Sequence, residues 1–240
     1  MAGDVWNLTA RRIDRALLAV AAAALLLAGT AGAGRAVKTS SATVTPAANP
    51  AATATATARL APVPLISQAH PWSCGAAALM AVLVYYGVFD EPESRLDAEL
   101  GVTPDDGTSV ARIVAEARRF GLEAEARTGM AIEDLGRELA GGALIIAAVQ
   151  AWATEPVTDW RARWEDGHYV VVVGVSDDRV YVMDPSVRTG YAYLRRDEWM
   201  ARWHDYDRDG ERRVVWDRLG IVVRGTTPLR RYPGEPTPIQ

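Results

Sequence analysis

Residues 67–87, SQAHPWSCGAAALMAVLVYYG, contain Cys74, the only cysteine of the 240-residue chain. The run that follows Cys74 is apolar on nearly all sides and ends at Gly87, which predicts a buried helix beginning at the cysteine. Free backbone N–H groups and the helix dipole at that end favour a negative charge, and the thiolate is the nucleophilic form of cysteine. Gly75 and Ala76 should leave room for a substrate. The stretch therefore indicates a nucleophile, although a small cysteine that only packs in the core is a common alternative.

Two polar residues flank a predicted β-hairpin further along the chain. His168 opens the apolar strand HYVVVVGV, the turn SDD follows, and Asp184 closes the strand RVYVMD. If the turn centres near Ser176, the two side chains face each other across the hairpin, where a carboxylate could orient an imidazole. Such a pair is the base and orienter of a nucleophile triad. Taken alone, it could equally be a strand end and a turn residue; the lone helix-start cysteine upstream favours the catalytic interpretation.

Gln68 stands six residues before the cysteine. Acyl transfer needs hydrogen-bond donors at the place where negative charge develops on the tetrahedral oxygen. The side-chain amide of Gln68 could donate one such bond and the backbone N–H of Cys74 the other. An isolated glutamine in a loop is usually only solvated, so this role depends on the rest of the site.

Helical patterns dominate the first half of the chain and strand patterns the second. Amphipathic helices are predicted in EPESRLDAELG, in SVARIVAEARRFG with Thr108 or Ser109 as its cap, and in AIEDLGRELAGG. Strands are predicted in LEAEAR, ALIIAAVQ, the His168 hairpin, GYAYL and LGIVVR, with a short helix in DEWMARW. This order indicates an α+β domain with segregated helices, in which N-terminal helices pack on an antiparallel sheet.

The stretches VPLISQAHPWSCGAAALMAVLVYYG, DDGTSVARIVAEARRFGLEAEA and GHYVVVVGVSDDRVYVMDPS together resemble the bacteriocin-processing, double-glycine leader peptidases and their standalone relatives, cysteine peptidase family thirty-nine of the papain-like clan. The resemblance implies a papain-like fold and peptide or protein substrates. It also implies roles for four residues: Cys74 as nucleophile, His168 as general base and acid, Asp184 as the orienter of His168, and Gln68 in the oxyanion hole.

The sequence departs from that family in several places. The leader peptidases proper are cytoplasmic and fused to a membrane transporter with an ATPase domain; this sequence has neither part, so removal of a double-glycine leader during export is not expected. Ser73 stands where the leader peptidases tend to have Asp. The stretch AWATEPVTDWRARWEDG before His168 is long and rich in tryptophan. Trp152, Trp160 or Trp164 could contact substrate there, or could simply pack over a sheet edge.

The two ends of the chain differ in composition from the domain. Residues 1–34 have the basic, apolar and small-residue regions of a secretory signal, with a possible cut after Ala33, or they form an N-terminal membrane anchor. Residues 35–61 are an Ala/Thr/Pro-rich stretch expected to be a disordered linker, 62–225 the peptidase domain, and 226–240 a Pro-rich tail. Either reading of the N-terminus places the domain outside the cytoplasm, secreted or anchored.

Composition limits the cofactors and partners. The net charge is -4 without a basic block, which gives no sign of nucleic-acid binding, and nothing in the sequence indicates more than a monomer. One cysteine and three histidines disfavour a Cys- or His-rich metal site. The segment DYDRDG matches the first half of a calcium loop through Asp205, Asp207 and Asp209, but Trp216 occupies the twelfth position. No cofactor is therefore expected, with a weak calcium site or a polar β-turn as the interpretations of this segment.

Three functions agree with these observations. The first is an extracytoplasmic cysteine peptidase that uses the Cys-His-Asp triad. The second is a cell-wall amidase or endopeptidase that applies the same chemistry to peptidoglycan stem peptides, placed in the wall by the linker. The third is an envelope module with weak turnover that binds peptides. The presence of all four site residues argues against the third function, because a pure binder has no need of them.

Overall fold

A computed structural model describes residues 59–209 and 211–230 of the chain. The predicted signal or anchor, most of the linker and the end of the tail lie outside these residues. Within the described ranges, none of the helices combines the length and apolar character needed to cross a membrane.

Three helices come first along the chain, and strands predominate after them. The helices are α1 Cys74–Tyr85, α2 Glu93–Leu100, α3 Val110–Arg119, α4 Ile132–Ala140 and α5 Arg196–Arg202, with a 3-10 turn at Trp160–Ala162. The strands are β1 Glu123–Arg127, β2 Leu144–Gln150, β3 Gly167–Val175, β4 Arg179–Met183, β5 Ala192–Arg195, β6 His204–Asp209, β7 Arg212–Asp217 and β8 Gly220–Arg224. Six strands form an antiparallel sheet in the order β1-β8-β2-β3-β4-β5, and β6 pairs with β7 in a separate ribbon.

The central strands are buried on both faces, which explains their continuous apolar runs. Alternate residues of β2 and β3 enter two different cores. One core holds α1, α2 and α3, and the other holds residues of α4 and α5, including Trp199 and Trp203. The prediction that N-terminal helices pack on an antiparallel sheet is confirmed, but the helices are not segregated to one side. The later helices cover the second face because a sheet with two apolar faces must bury both.

Helix α1 is buried almost completely. All its residues except Met80 and Val84 are inaccessible or nearly so, and it packs against β3. Tyr86, just after the helix, donates its buried hydroxyl to the backbone carbonyls of Gly142 and Val223, at 2.9 and 3.1 Å. These bonds tie the C-terminal end of the helix to strand β8 and to the residues before β2. Its N-terminal end lies near the start of β3.

The β3–β4 hairpin has a different register from the predicted one. Its turn is closed by the Ser176 N–H, which donates to the carbonyl of Arg179, so the turn centres after Ser176. A bulge between Val172 and Gly174 shifts the pairing back by one residue. Continuing from Val171 opposite Met183, the residue opposite His168 is Ser186, so Asp184 lies two residues before that position, on the same face. Directly opposed residues were therefore the wrong expectation, although the two side chains still meet.

The segment DYDRDG forms most of strand β6 rather than a loop or turn. Asp205 pairs with Trp216 and Asp207 with Val214 across the β6–β7 ribbon. A carboxylate oxygen of Asp207 accepts a 2.9 Å bond from the backbone N–H of Val110, the first residue of α3. Ser109 occupies the N-cap position of α3, but its side chain makes no capping bond. The predicted local cap is thus replaced by an acid from a distant strand.

The packed region extends slightly beyond the expected domain limits at both ends. The N–H of Ala61 donates to the carbonyl of Val173 at 2.7 Å, and the Tyr191 hydroxyl bonds to the carbonyls of Ala61 and Val63. Near the other end, the N–H of Leu229 donates to the carbonyl of Tyr85 at 2.9 Å. Residues 60–61 and 229 therefore belong to the folded domain rather than to the linker and tail.

Candidate active site

Cys74 is the first residue of α1 and is 9% exposed. The next residue, Gly75, is packed rather than open. A Cβ at Gly75 would lie 2.8 Å from Cβ of Thr108 and 3.1 Å from the ring of Tyr169. The small residues after the cysteine were expected to leave room for substrate. They instead let α1 approach the start of α3 and β3 closely, which fixes the position of the sulfur.

The imidazole of His168 lies between Asp184 and Cys74. Its Nε2 is 2.7 Å from Oδ1 of Asp184, and Cys74 is close enough to the ring to raise the pKa of His168. Since Nε2 faces the carboxylate, Nδ1 is the nitrogen left for the sulfur. Burial lowers the pKa of His168, but the hydrogen bonds and negative charges of these two partners outweigh burial and raise it to about 10. The ring is therefore held as an imidazolium at neutral pH.

Asp184 follows β4 directly and is 6% exposed. Besides His168, two groups donate to its carboxylate: the backbone N–H of Ser186 to Oδ1 at 2.8 Å, and the indole N–H of Trp152 to Oδ2 at 3.1 Å. Burial raises the pKa of Asp184, but the bond and positive charge of His168, together with these donors, leave it below its ordinary value. The acid is thus ionised and fixed through both oxygens.

The three tryptophans expected near the site have different surroundings. Trp152, 58% exposed, has a left-handed backbone (φ 62°) that is costly for a bulky residue, and it is bonded to Asp184. With Trp160 it lines an apolar pocket of about 460 Å³ that also reaches Asp184. Trp160 additionally lies under the guanidinium of Arg202, at 3.6 Å. Trp164 lines a different pocket, which contains Cys74. No local pattern predicts the Trp152–Asp184 bond, because it depends on the backbone conformation of Trp152.

Gln68 is held beside the turn that follows Asp184. Its backbone N–H donates to the carbonyl of Pro185 at 3.1 Å, and the Ser186 hydroxyl donates to its side-chain oxygen at 3.0 Å. Its side-chain nitrogen donates to the carbonyl of His70 at 2.8 Å. A side-chain amide carries two N–H donors, so this bond leaves the second available.

The loop between Gln68 and Cys74 is organised by Glu93 of α2. The carboxylate of Glu93 accepts from the backbone N–H of Ala69 at 2.9 Å and from the hydroxyl of Ser73 at 2.7 Å. Ser73 is fully buried, and its hydroxyl oxygen in turn accepts from the N–H of His70. The serine directly before Cys74 is thus accompanied by an acid supplied from the neighbouring helix. Sequence reasoning missed Glu93, because nothing in the local pattern of α2 points to the loop.

A pocket of about 300 Å³ adjoins Cys74 and is rich in acids. Its lining includes Asp105, Asp106, Glu165, Asp205 and Asp207, with Arg208 as the one basic residue in the lining. Among the residues that the structure describes, no group of three or more His, Cys, Asp or Glu side chains is placed to hold a metal ion. The side chain of Asp209 lies outside the description, so the calcium interpretation of this segment stays a prediction.

Comparison with known families gives one clear match. The sequence model of the Peptidase C39 family matches residues 62–206, which include all four predicted site residues. None of the curated proteins matches the chain.

Several solved structures are similar to the chain. A double glycine motif protease from an AMS/PCAT transporter, in complex with the leader peptide, is 22% identical, with 70% of this chain and 94% of that chain covered and a TM-score of 0.47. The peptidase domain of Streptococcus ComA, a bifunctional ABC transporter of a quorum sensing pathway, is 20% identical, with 68% and 98% covered and a TM-score of 0.49. A C39-like peptidase from Bacillus anthracis is 16% identical, with 69% and 96% covered and a TM-score of 0.49.

The buried carboxylate of Asp205 leads to a prediction about stability. Burial raises its pKa from 3.8 to about 7, and the charge of Asp207 adds to the rise. The folded protein therefore holds this proton more tightly than the unfolded chain. The stability that this provides is fully present below about pH 4 and is lost as the pH rises through 7. We expect Asp205→Asn to raise the unfolding temperature at pH 8 by roughly 5 °C and to change it little at pH 4.

Thermal unfolding followed by circular dichroism across this pH range checks that prediction. Asp177→Asn is the matched control, since it removes the same charge from an exposed residue in the β3–β4 turn. The control should show no such trend with pH. An Asp205→Asn protein that is no more stable than the parent at pH 8 would contradict the expected cost of the buried charge.

Proposed function

We propose that this chain, which belongs to the Peptidase C39 family, hydrolyses peptide bonds with Cys74 as nucleophile, His168 as general base and acid, and Asp184 as the orienter of His168. Family membership makes the chain a cysteine peptidase with a papain-like α+β fold. One observation supports the assignment of roles: Nε2 of His168 bonds Asp184, and Cys74 is close enough to the same ring to raise its pKa. A cysteine that served only for packing would need no imidazolium beside it.

The proposed reaction starts from the thiolate of Cys74 and the imidazolium of His168. The sulfur attacks the carbonyl carbon of the peptide bond and forms a tetrahedral oxyanion. Nδ1 of His168 gives its proton to the leaving nitrogen, and the bond breaks to release the amine and leave a thioester. The imidazole then takes a proton from water, whose oxygen attacks the thioester, and the proton returns to the pair as the acid product leaves.

The oxyanion would be held by two donors on the loop and helix start. A backbone N–H in the first turn of a helix has no acceptor within that helix, which leaves the N–H of Cys74 available. The second N–H of Gln68 is the other candidate, because the first is held by His70. The bond from Ser186 to the side-chain oxygen of Gln68 supports the proposal, since it orients the amide from the same turn that holds Asp184.

We place the reaction outside the cytoplasm, with residues 1–34 as a cleaved signal or a membrane anchor. The basic residues before the apolar run support this orientation. A lone cysteine also suits an oxidising compartment, because the domain offers no second thiol for an internal disulfide.

Fusion of residues 1–61 to alkaline phosphatase tests the location. The reporter needs disulfides that form only outside the cytoplasm, so it should be active in whole cells, and replacing Arg11, Arg12 and Arg15 by Glu should reduce that activity. An inactive fusion that is nevertheless made at a normal level would contradict export.

Cleavage itself is tested with the purified full-length chain. We expect the parent to cleave some members of a diverse peptide library and Cys74→Ala to cleave none, with mass spectrometry identifying the new termini. Iodoacetamide should label the parent at neutral pH faster than it labels glutathione, because the thiolate is paired with an imidazolium. Purified sacculi provide a second substrate. Cys74-dependent release of stem peptides, without cleavage of library peptides, would favour the cell-wall function, and binding without any cleavage would contradict hydrolysis altogether.

The pairing of His168 with Asp184 predicts the alkaline limit of activity. Since the pKa of His168 is raised to about 10, kcat/KM should fall only as the pH approaches 10, where the imidazolium is lost. Asp184→Asn removes the negative charge beside the imidazole. It should lower this alkaline limit by at least one pH unit and reduce kcat about 100-fold. Trp152→Phe removes one bond to Asp184 and should cause a smaller shift in the same direction. If kcat/KM of Asp184→Asn declined at the same alkaline pH as that of the parent, Asp184 would be excluded as the orienter of His168.

A further inference from the structure

Asp205 is placed at the nucleophile by its contact with β3. A Cβ at Gly167, the residue before His168, would lie 2.5 and 2.7 Å from the two carboxylate oxygens of Asp205. A side chain at position 167 would therefore displace the acid. The carboxylate rests against the backbone next to His168, and it lines the same pocket as Cys74.

The carboxylate of Asp205 has only neutral donors. The side-chain nitrogen of Gln150 donates to Oδ1 at 3.2 Å. Gln150 is itself fully buried and fixed, because its side-chain oxygen accepts from the N–H of Asp166 at 3.0 Å. Among residues 59–209 and 211–230, no arginine or lysine forms an ion pair with Asp205. The positive charge of His168 lowers the pKa of Asp205, but that ring already bonds Asp184.

The other charged residues of the pocket do not neutralise the carboxylate of Asp205. Asp207 caps α3, and the one basic residue of the lining, Arg208, lies on the exposed rim, 3.6 Å from Asp106. The pKa of the pocket residue Tyr169 is raised well above its ordinary value, by burial first and then by the charges of Asp207 and Asp205. The pocket therefore gains an uncompensated negative charge as Asp205 ionises, around pH 7 and above.

An independent feature of the pocket also indicates a ligand. The hydroxyl of Thr108 is buried, in a residue 5% exposed, and has no hydrogen-bond partner in the part of the chain that the structure describes. Thr108 lines the same pocket, together with the aromatic rings of Trp72, Trp164 and Tyr206. A buried hydroxyl without a partner is costly, and a polar ligand group would satisfy it. Carboxylates and aromatic faces are together the surroundings that favour an organic cation.

We propose that this pocket is a specificity site for a cationic side chain of the peptide substrate, a primary ammonium or guanidinium close to the scissile bond, with Asp205 as the residue that binds it. Thr108 accepts a second hydrogen bond from the same group, and the aromatic rings exclude water from it. The inference rests on the proposed peptidase function for its substrate, but the charge selectivity of the pocket can be measured without turnover.

Cys74 itself can report the charge selectivity, because it is the only thiol of the chain. Methanethiosulfonate reagents transfer an alkylthio group to the thiolate and release methanesulfinate. The measurement compares second-order rates for the aminoethyl, hydroxyethyl and sulfonatoethyl reagents with the full-length protein in EDTA, using 2-mercaptoethanol as the reference thiol. We expect the aminoethyl-to-hydroxyethyl rate ratio to be about tenfold higher for Cys74 than for the reference, and the sulfonatoethyl reagent to be disfavoured.

Substitution assigns the effect to one residue. Asp205→Asn should remove most of the preference for the cationic reagent, whereas Asp177→Asn, with the same change of charge in the distant turn, should retain it. Thermal unfolding of each variant confirms that the compared proteins are folded. A ratio equal to that of 2-mercaptoethanol, a ratio unchanged by Asp205→Asn, or a Cys74 that no reagent reaches would each overturn the proposal.

Peptides then locate the cation in the substrate. The peptides are based on the library sequence that is cleaved best and are N-acetylated. At each position near the cleaved bond, a peptide with lysine is compared with one that has norleucine. A norleucine peptide with a free N-terminal amine shows whether the site binds an N-terminal ammonium instead. We expect lysine or arginine at one fixed position to raise kcat/KM about tenfold over norleucine, chiefly through KM, and Asp205→Asn to abolish that advantage. Cleavage without such a preference overturns the cationic site alone. Absence of any Cys74-dependent cleavage counts against the peptidase proposal, and the labelling ratios then decide the cationic site by themselves.

Discussion

The packing of α1 against β3 is the constraint on which the site depends. Because the helix is apolar on nearly all sides, it can be buried only as a rod between other elements, and its N-terminal end meets the start of β3. Cys74 is the first residue of the helix at that junction, and His168 is the second residue of the strand. A shift of the helix by one turn would move the sulfur by about 5.4 Å relative to the imidazole. The contacts of Gly75 with Thr108 and Tyr169 oppose such a shift, since the gap they leave has no room for a larger residue.

The turn after β4 connects the two halves of the proposed chemistry. Asp184 bonds the imidazole of His168, and the next two residues hold Gln68 through the carbonyl of Pro185 and the hydroxyl of Ser186. A displacement of this turn would disturb the proposed acid–base pair and the proposed oxyanion donor together. The loop before Cys74 is fixed from the other side by Glu93. The proposed oxyanion donors and His168 are therefore positioned by a rigid sheet and helix, together with loops that are fixed by hydrogen bonds.

The elements with strong local patterns could be predicted from the sequence, and the site could be predicted in outline. The apolar helix after Cys74 and the valine-rich strand after His168 are unambiguous, because burial on all sides leaves no polar positions. The exact register of the hairpin was not predictable, since a bulge at Val172–Gly174 leaves no mark in an uninterrupted apolar run. The β6–β7 ribbon was missed for the opposite reason: its strands, HDYDRD and RRVVWD, are too charged to resemble a sheet. The long-range bonds of Asp207 to α3 and of Trp152 to Asp184 likewise have no local signal.

The β6–β7 ribbon brings acids close to Cys74 that a stable fold alone would not require. Asp207 has a structural explanation, because its charge satisfies the start of α3. Asp205 has no such structural explanation, because it is buried against β3, lies near the charge of Asp207 and receives a hydrogen bond from a neutral donor. Its charged form therefore destabilises the domain. An asparagine could accept the bond from Gln150 without that cost. Destabilising groups that persist beside a reactive residue are typical of sites maintained for binding. The position of Asp205, against the residue that precedes His168, is where such a charge would act on a substrate rather than on the fold.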